Sequence, residues 1–327
     1  MEDANAIRAQ LELSGIIGRS EIVQWQVLRR STAGWRGVGS VDGQALRVET
    51  LGPDATVRDL NTFLELQAVL ARDELLGSAS CFPILTTELV AAYRSLPGGM
   101  VLAQAMIPPG RLPAPRLDVP RLRLLTENLA RYLVRLHDYP ALDRSNVARI
   151  VPSLDLVRSL PWLYERERSL LCDCNLALQE TLRRAADVIN SSASVDAALL
   201  HGQFDPAHIV INRAPGESRF QVIGWWKIAL GRREFDLGWF AGELDELANA
   251  WRGTAQEALV DLGVGFVELY RELAKRDLDP WLIRSVRAMK VLHHLWEFTH
   301  LMGGGSPQLV NNQIALAHRI ALERQPQ

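Results

Sequence analysis

Cysteine is scarce in this chain: three thiols in 327 residues cannot make a disulfide framework for a domain of this size. Long apolar runs are missing too. With no stretch of about eighteen apolar residues, no bilayer-spanning helix is predicted and no membrane partner is expected. Neither sign of charge is in excess, since 36 Lys and Arg face 38 Asp and Glu for a formal net charge of −2. That balance gives no general pull toward nucleic acid, so no nucleic-acid partner is expected either. The opening residues Met1, Glu2, Asp3, Ala4 and Asn5 lack the basic and apolar blocks of a secretory leader, which makes cytoplasmic localisation the expectation. Internal repeats and low-complexity segments are absent. What the chain does have is apolar content: 48% hydrophobic residues suffice for one large core or two modest ones.

Cys172 and Cys174 are separated by one residue, closer than zinc-ligand pairs, and no second pair exists. They fall in a helical apolar pattern with Leu170, Leu171, Leu176 and Leu178, where thiols act as small apolar residues.

The first third of the chain reads as strands with one long helix. Strands are predicted at 22–30, 38–41 and 45–49, with a small-residue turn at 31–37 and a hairpin turn at Asp42-Gly43. Leu60, Phe63, Leu64, Leu66, Val69 and Leu70 recur at helical spacing within 56–76. Two more strands are predicted at 87–95 and 99–106, followed by a proline-rich segment at 107–115. Beyond it, helices are predicted at 119–137, 154–189, 238–275, 280–302 and 307–322, with short strands at 209–212 and 220–223.

The chemistry-bearing stretch is His201-Gly202-Gln203-Phe204-Asp205-Pro206-Ala207-His208, followed by Val222-Ile223-Gly224-Trp225-Trp226. Together they resemble the core of the aminoglycoside phosphotransferase and choline kinase families, which carry His-Gly-Asp-x-x-x-x-Asn and then Ile-Asp-Trp-Glu. Leu129 to His137 resembles the family's helix before the catalytic loop. Gly231-Arg232-Arg233-Glu234-Phe235-Asp236-Leu237 resembles its Gly-Asp-Pro-x-x-Asp-Leu, with Asp236 a structural cap or brace. The resemblance covers about residues 25 to 320. It implies an α+β, bilobal, protein-kinase-like fold: a five-stranded N-lobe with one helix at 1–106, a hinge and loop at 107–118, and a larger helical C-lobe at 119–327. It also implies that Arg47 sits on the nucleotide-pairing strand, that Glu65 is its helix partner, and that Gln104 and Met106 lie in the hinge strand.

In the family, the first Asp is the catalytic base, the Asn holds a metal, and the second Asp holds the metals that carry the nucleotide phosphates. Here the three positions read Gln203, His208 and Gly224. An amide accepts no proton at neutral pH, imidazole is a poor magnesium ligand, and glycine offers no side chain. Loss of a general base alone costs about 10² to 10⁴ in rate. Asp205 could replace the base, although Asp-Pro also favours a turn and a loop-stabilising carboxylate. His201, Asp205 and His208 could be drawn as a transition-metal site, but a further ligand would be needed, and no metal ligand is assigned.

Lys227, Arg232 and Arg233 follow the strand that lost its acid and could hold an anion without metal; a solvated basic loop is the plainer reading. Trp225 reads as core and Trp226 as a ring filling the former metal pocket. His293, His294 and His300 invite a metal reading, yet packed histidines on an amphipathic helix explain them as well.

The expected function is a pseudokinase that binds a protein or peptide partner, or a small molecule in the interlobe cleft, without metal-dependent phosphoryl transfer. The candidate cofactor is ATP or ADP without magnesium. The alternative is a divergent phosphotransferase acting on a small-molecule or biosynthetic-peptide hydroxyl through Asp205 or a partner's residues. A binder of cationic drugs, using Glu243, Asp245 and Glu246, is a third reading. A biosynthetic gene cluster around the gene would favour a precursor-binding or modifying role.

Overall fold

The computed structural model describes residues 12, 24–31, 34–41, 44–50, 60–83, 85–86, 90–94, 96, 99–106, 118–138, 174–191, 197–212, 219–251, 261–301 and 306–322. In chain order the first elements are strands β1 (Gln24–Ser31), β2 (Gly34–Val41) and β3 (Gln44–Thr50), then helices α1 (Leu60–Leu70) and α2 (Glu74–Ala79). Strands β4 (Leu85–Thr86), β5 (Val90–Arg94) and β6 (Met100–Val101) follow, then helices α3 (Leu102–Met106), α4 (Val119–Asp138) and α5 (Leu176–Asn190). Next come β7 (Ala198–Leu200), β8 (Ile209–Ile211), β9 (Phe220–Val222) and β10 (Ala229–Gly231). The chain closes with helices α6 (Glu234–Trp251), α7 (Leu262–Ala274), α8 (Pro280–Trp296) and α9 (Pro307–Leu322). The class is α+β, as the sequence predicts. Two compact units divide the chain: Met1–Met100 with Ile209–Trp226, and Val101–His208 with Lys227–Gln327.

The first unit is built on an antiparallel sheet of order β1-β2-β3-β5-β4. β2 starts at Gly34, paired with Ser31, instead of at residue 38. The small residues expected to turn therefore carry ladder hydrogen bonds, because β2 has a neighbour on each side. The single helix expected over 56–76 is broken at 71–73. The Asp73 carboxylate accepts from Leu75 N and Leu76 N at 3.0 and 3.1 Å, starting α2 afresh. The hairpin β8–β9 belongs to this unit: Ser80 bridges Val222, Cys81 N donates to Val222 O at 2.8 Å, and Leu96 N donates to Gln221 Oε1 at 3.0 Å.

In the second unit the expected strand over 99–106 fails after two residues. Leu102, Ala103, Gln104, Ala105 and Met106 form α3, in keeping with their strong helix propensities. The predicted helix 238–275 starts earlier, at Glu234, and is not continuous, since Asp261 stands in a turn ahead of α7. Residues 154–173 of another predicted helix, with Cys172, lie outside the described residues, while Cys174 is buried. β7 and β10, absent from the sequence reading, pair antiparallel; three-residue strands are too short to show a period.

Along α4, Leu122, Leu125, Leu129, Leu133 and Leu136 recur every three or four residues and are all buried, each contributing up to about 1.5–3 kcal/mol. A second core joins α5, α6, α8 and α9 through Leu178, Leu182, Trp239, Val286, Met289 and Ala317. Two glycines bring α6 and α8 together. A Cβ at Gly238 would lie 2.6 Å from Val286 Cβ, and one at Gly242 would lie 2.6 Å from Arg287 O. That close approach sets the next turn of α6, with Glu243 and Glu246, against Lys290 and His294. Asp279 caps α8 by accepting from Trp281 N and Leu282 N, with Pro280 at its first position. Among the described residues no helix is long and apolar enough to cross a membrane.

Candidate functional site

Asp236, in the first turn of α6, anchors the loop 201–208 within the second unit. Its carboxylate accepts from His201 N at 2.7 Å and Gly202 N at 2.9 Å, and lies 3.2 Å from His137 Nε2 on α4. His137 Nδ1 is 2.8 Å from the Tyr270 hydroxyl. Both contacts are satisfied when Nε2–H donates to Asp236 and Nδ1 accepts from Tyr270. Burial lowers the His137 pKa despite the Asp236 carboxylate, so the ring is neutral. With Asp236 inside the helix, its role is to brace the loop and not to cap a helix starting near Trp239. Asp236→Asn removes a charged acceptor from buried donors and is expected to lower the unfolding free energy by about 1.5–3 kcal/mol, read from urea denaturation.

Further along the loop, Gln203 is half-buried and its backbone N donates to His201 Nδ1 at 3.3 Å. Asp205 is 1% exposed and accepts four hydrogen bonds. Its Oδ1 accepts from Ala207 N at 3.0 Å, His208 N at 3.2 Å and His208 Nδ1 at 2.8 Å; its Oδ2 accepts from Lys290 Nζ at 3.1 Å. Burial raises the Asp205 pKa, but the charges of Lys290 and His208 outweigh it and hold the carboxyl well below the usual range. The carboxylate thus stabilises the loop. The one-turn 3₁₀ helix Pro206–His208 that it caps was legible in the Asp-Pro pair.

Lys290 was not singled out by sequence reasoning. It is 3% exposed, with Nζ 3.1 Å from Asp205 and 3.0 Å from Glu243 Oε2, and 5.2 Å above the Trp239 ring. Burial works against its charge, yet the two carboxylates raise its pKa above the ordinary lysine value. One turn on, His294 Nδ1 lies 2.7 Å from Glu246 Oε2, and Glu246 Oε1 accepts from Gln313 Nε2 at 3.1 Å. Burial lowers the His294 pKa, but Glu246 and Glu243 outweigh it and raise the pKa to about 9. Neighbouring His293 is lowered to about 3, mainly by burial. A histidine raised in the fold contributes stability that is complete below its unfolded pKa near 6.5 and lost as pH rises through about 9. The melting temperature should therefore fall between pH 6.5 and 9, and His294→Gln should flatten that fall. Below 6.5, His293 acts in the opposite sense, because the unfolded chain takes up a proton that the buried ring refuses.

In the first unit Gly224 adopts φ +80°, a left-handed conformation that favours glycine, and its N–H donates to the Tyr93 hydroxyl at 3.2 Å. Trp225 is core, as expected: it is fully buried, stacks on Phe82 at 4.8 Å, and donates its Nε1–H to Val222 O. The Trp226 side chain lies outside the described residues. Arg47 on β3 is 1% exposed, whereas Glu65 on α1 is exposed. Cys81, with its thiol donating to Arg94 O, is pushed by burial up to about 12, too high for a reactive thiolate.

The remaining candidates fall in the second unit. Gln104 and Met106 sit on helix α3 and not on a strand; Gln104 is half-buried and Met106 buried. Arg232 makes a two-pronged contact with Glu234 at 2.8 and 3.3 Å, and that hydrogen bonding raises its pKa. Arg233 lies 3.8 Å from Asp138. Lys227 is half-buried, and its carbonyl packs on Gly202. The charge of Arg232 is thus met by Glu234, while Asp138 beside Arg233 also lies 3.3 Å from Arg276. Asp245, one of the three acids of the drug-binder reading, is bound by Arg287 through both oxygens at 2.7 and 2.8 Å.

The sequence profile of the phosphotransferase enzyme family (APH) matches residues 45–278. No curated protein matches the chain in sequence. Its structure is similar to the choline kinase LicA of Streptococcus pneumoniae, with a TM-score of 0.58 and 12% identity over 99% of this chain and 100% of that one. It is also similar to macrolide 2′-phosphotransferase type I (TM-score 0.54, 16% identity, covering 95% of this chain and 96% of that one). A third likeness is to an ADP-bound aminoglycoside phosphotransferase (TM-score 0.52, 13% identity, covering 97% and 98%). Likeness at such low identity speaks for the fold alone. The profile match, spanning well over half the residues and both motif regions, goes further: this chain belongs to the phosphotransferase enzyme family.

Proposed function

We propose that this family member is a pseudokinase, binding a protein or peptide partner or a small molecule without metal-dependent phosphoryl transfer. The observation that carries this reading is the state of Asp205, the one carboxylate left in the loop. It is buried, ionised, and already bonded to Lys290, His208 and two backbone N–H groups. A general base must reach its proton and have a pKa near the working pH, and a buried carboxyl held well below the usual range meets neither need.

The residues at the family's metal positions do not fit magnesium. Gly224 presents no side-chain oxygen and a backbone N–H already given to Tyr93, and His208 offers nitrogen with Nδ1 committed to Asp205. A nucleotide bound here would therefore be held without magnesium. A divergent transferase working through Asp205 would need that carboxylate to leave Lys290, and the geometry disfavours this route; one working through a partner's residues is answered by the assay below. Calorimetry with ATP and ADP, with and without magnesium, tests the reading alongside a phosphoryl-transfer assay. The expected result is no turnover, with any nucleotide affinity independent of magnesium. Magnesium-dependent binding with stoichiometric phosphorylation would overturn it.

A further inference from the structure

We propose that Glu243 and Glu246 on α6, His294 on α8 and Gln313 on α9 form a binding site for one divalent transition-metal ion, with zinc as the test ion. The site is separate from the family's phosphate-metal positions and does not rest on the pseudokinase reading. Ligand atoms of the first three residues lie within 4.8 Å of one another. Donors about 2 Å from a zinc ion stand roughly 3–4 Å apart, so small side-chain rotations close the cluster. Glu243 and Glu246 are one helical turn apart on one face, and the Gly238 and Gly242 contacts hold that face against α8.

Gln313 is the independent observation. Its side chain is 9% exposed and directed at the cluster, with Nε2 3.1 Å from Glu246 Oε1. Its Oε1 is buried and has no hydrogen-bond partner among the described residues. A buried amide oxygen left this way is costly. Turning the amide over places that oxygen where the nitrogen now lies, as a fourth donor.

The local charge agrees. Glu243 and Glu246 on α6 face His294 and Lys290 on α8, while Arg287 is taken up by Asp245, and His293 lies beside Glu297. Lys290 is shared between Glu243 and Asp205, so its charge is not given to this pair of glutamates alone. A divalent ion takes the lone pair of the neutral imidazole nitrogen of His294. One imidazole with carboxylate and amide oxygens suits zinc better than magnesium.

Metal-stripped full-length protein is titrated with zinc against a chelating fluorophore at pH 7.5. The expected result is one zinc per chain. Glu246→Gln and His294→Gln should each weaken binding by about tenfold or more, and Gln313→Ala should weaken it measurably. X-ray absorption on the wild-type zinc complex gives a check independent of any variant's folding; one imidazole among oxygen ligands is expected. Absence of stoichiometric zinc, unchanged affinity in His294→Gln, or a shell without imidazole would each overturn the proposal.

Discussion

Lys290→Met is expected to lower folding stability by about 3–5 kcal/mol, the usual result of removing one partner from a buried ion pair. The lost group is the cation that meets Asp205 Oδ2 among the described residues, and it also meets Glu243. Methionine nearly preserves the volume and the packing on Trp239, so the loss reports charge more than cavity. Urea denaturation measures it. The double variant Lys290→Met, Asp205→Asn should recover part of the loss, because the stranded carboxylate is gone. The pH dependence carries a definite sign. Asp205 is held below the ordinary carboxylate range, so its contribution is present above its unfolded pKa near 4 and disappears as pH falls through the lower folded value. In Lys290→Met the lysine's share of that depression is lost while that of His208 remains, and the deficit should narrow as the pH falls through about 4 and below. A deficit under 1 kcal/mol would mean that the ion pair is not holding the loop. Asp205→Ala should likewise be primarily a stability variant, whereas the divergent-transferase alternative requires it to fold well and lose only activity.

Gly202→Ala should be at least as damaging, about 4 kcal/mol or more, and should leave little folded protein. Gly202 has φ +77°, and a Cβ built there would lie 1.8 Å from Lys227 O and 2.6 Å from Lys227 C. The positive φ alone costs an L-residue about 1–3 kcal/mol. The clash is with backbone, which cannot rotate away, and relieving it would break the 2.9 Å bond from Gly202 N to Asp236. Expression yield and circular dichroism of the variant are the readouts. Normal folding would show that the crowding at Lys227 can relax.

Much of the architecture was open to sequence reasoning because it depends on local rules. The three-to-four-residue spacing of Leu122 to Leu136 places α4, the strand expected over 45–49 is found as β3, and Pro280 behind Asp279 starts α8. The His-Gly stretch and the Gly224 segment were enough to point to the phosphotransferase family, and the profile match over 45–278 bears that out. Local propensity also accounts for two misreadings after the fact: Asp73 breaks a helix that apolar periodicity alone would continue, and Leu102–Met106 prefer helix once the strand pairing ends.

What the sequence by itself determined, then, is the family, the α+β class, and the replacement of the expected Asp, Asn and Asp by Gln203, His208 and Gly224. Only the tertiary structure decided what the remaining polar residues do. Lys290 lies 85 residues from Asp205, and Gln313 lies 67 from Glu246. Neither of these separations has a period or motif, because side-chain pairing across packed helices depends on where their axes cross. Two glycines of α6 decide that crossing, and they become informative only once α8 is seen lying against them.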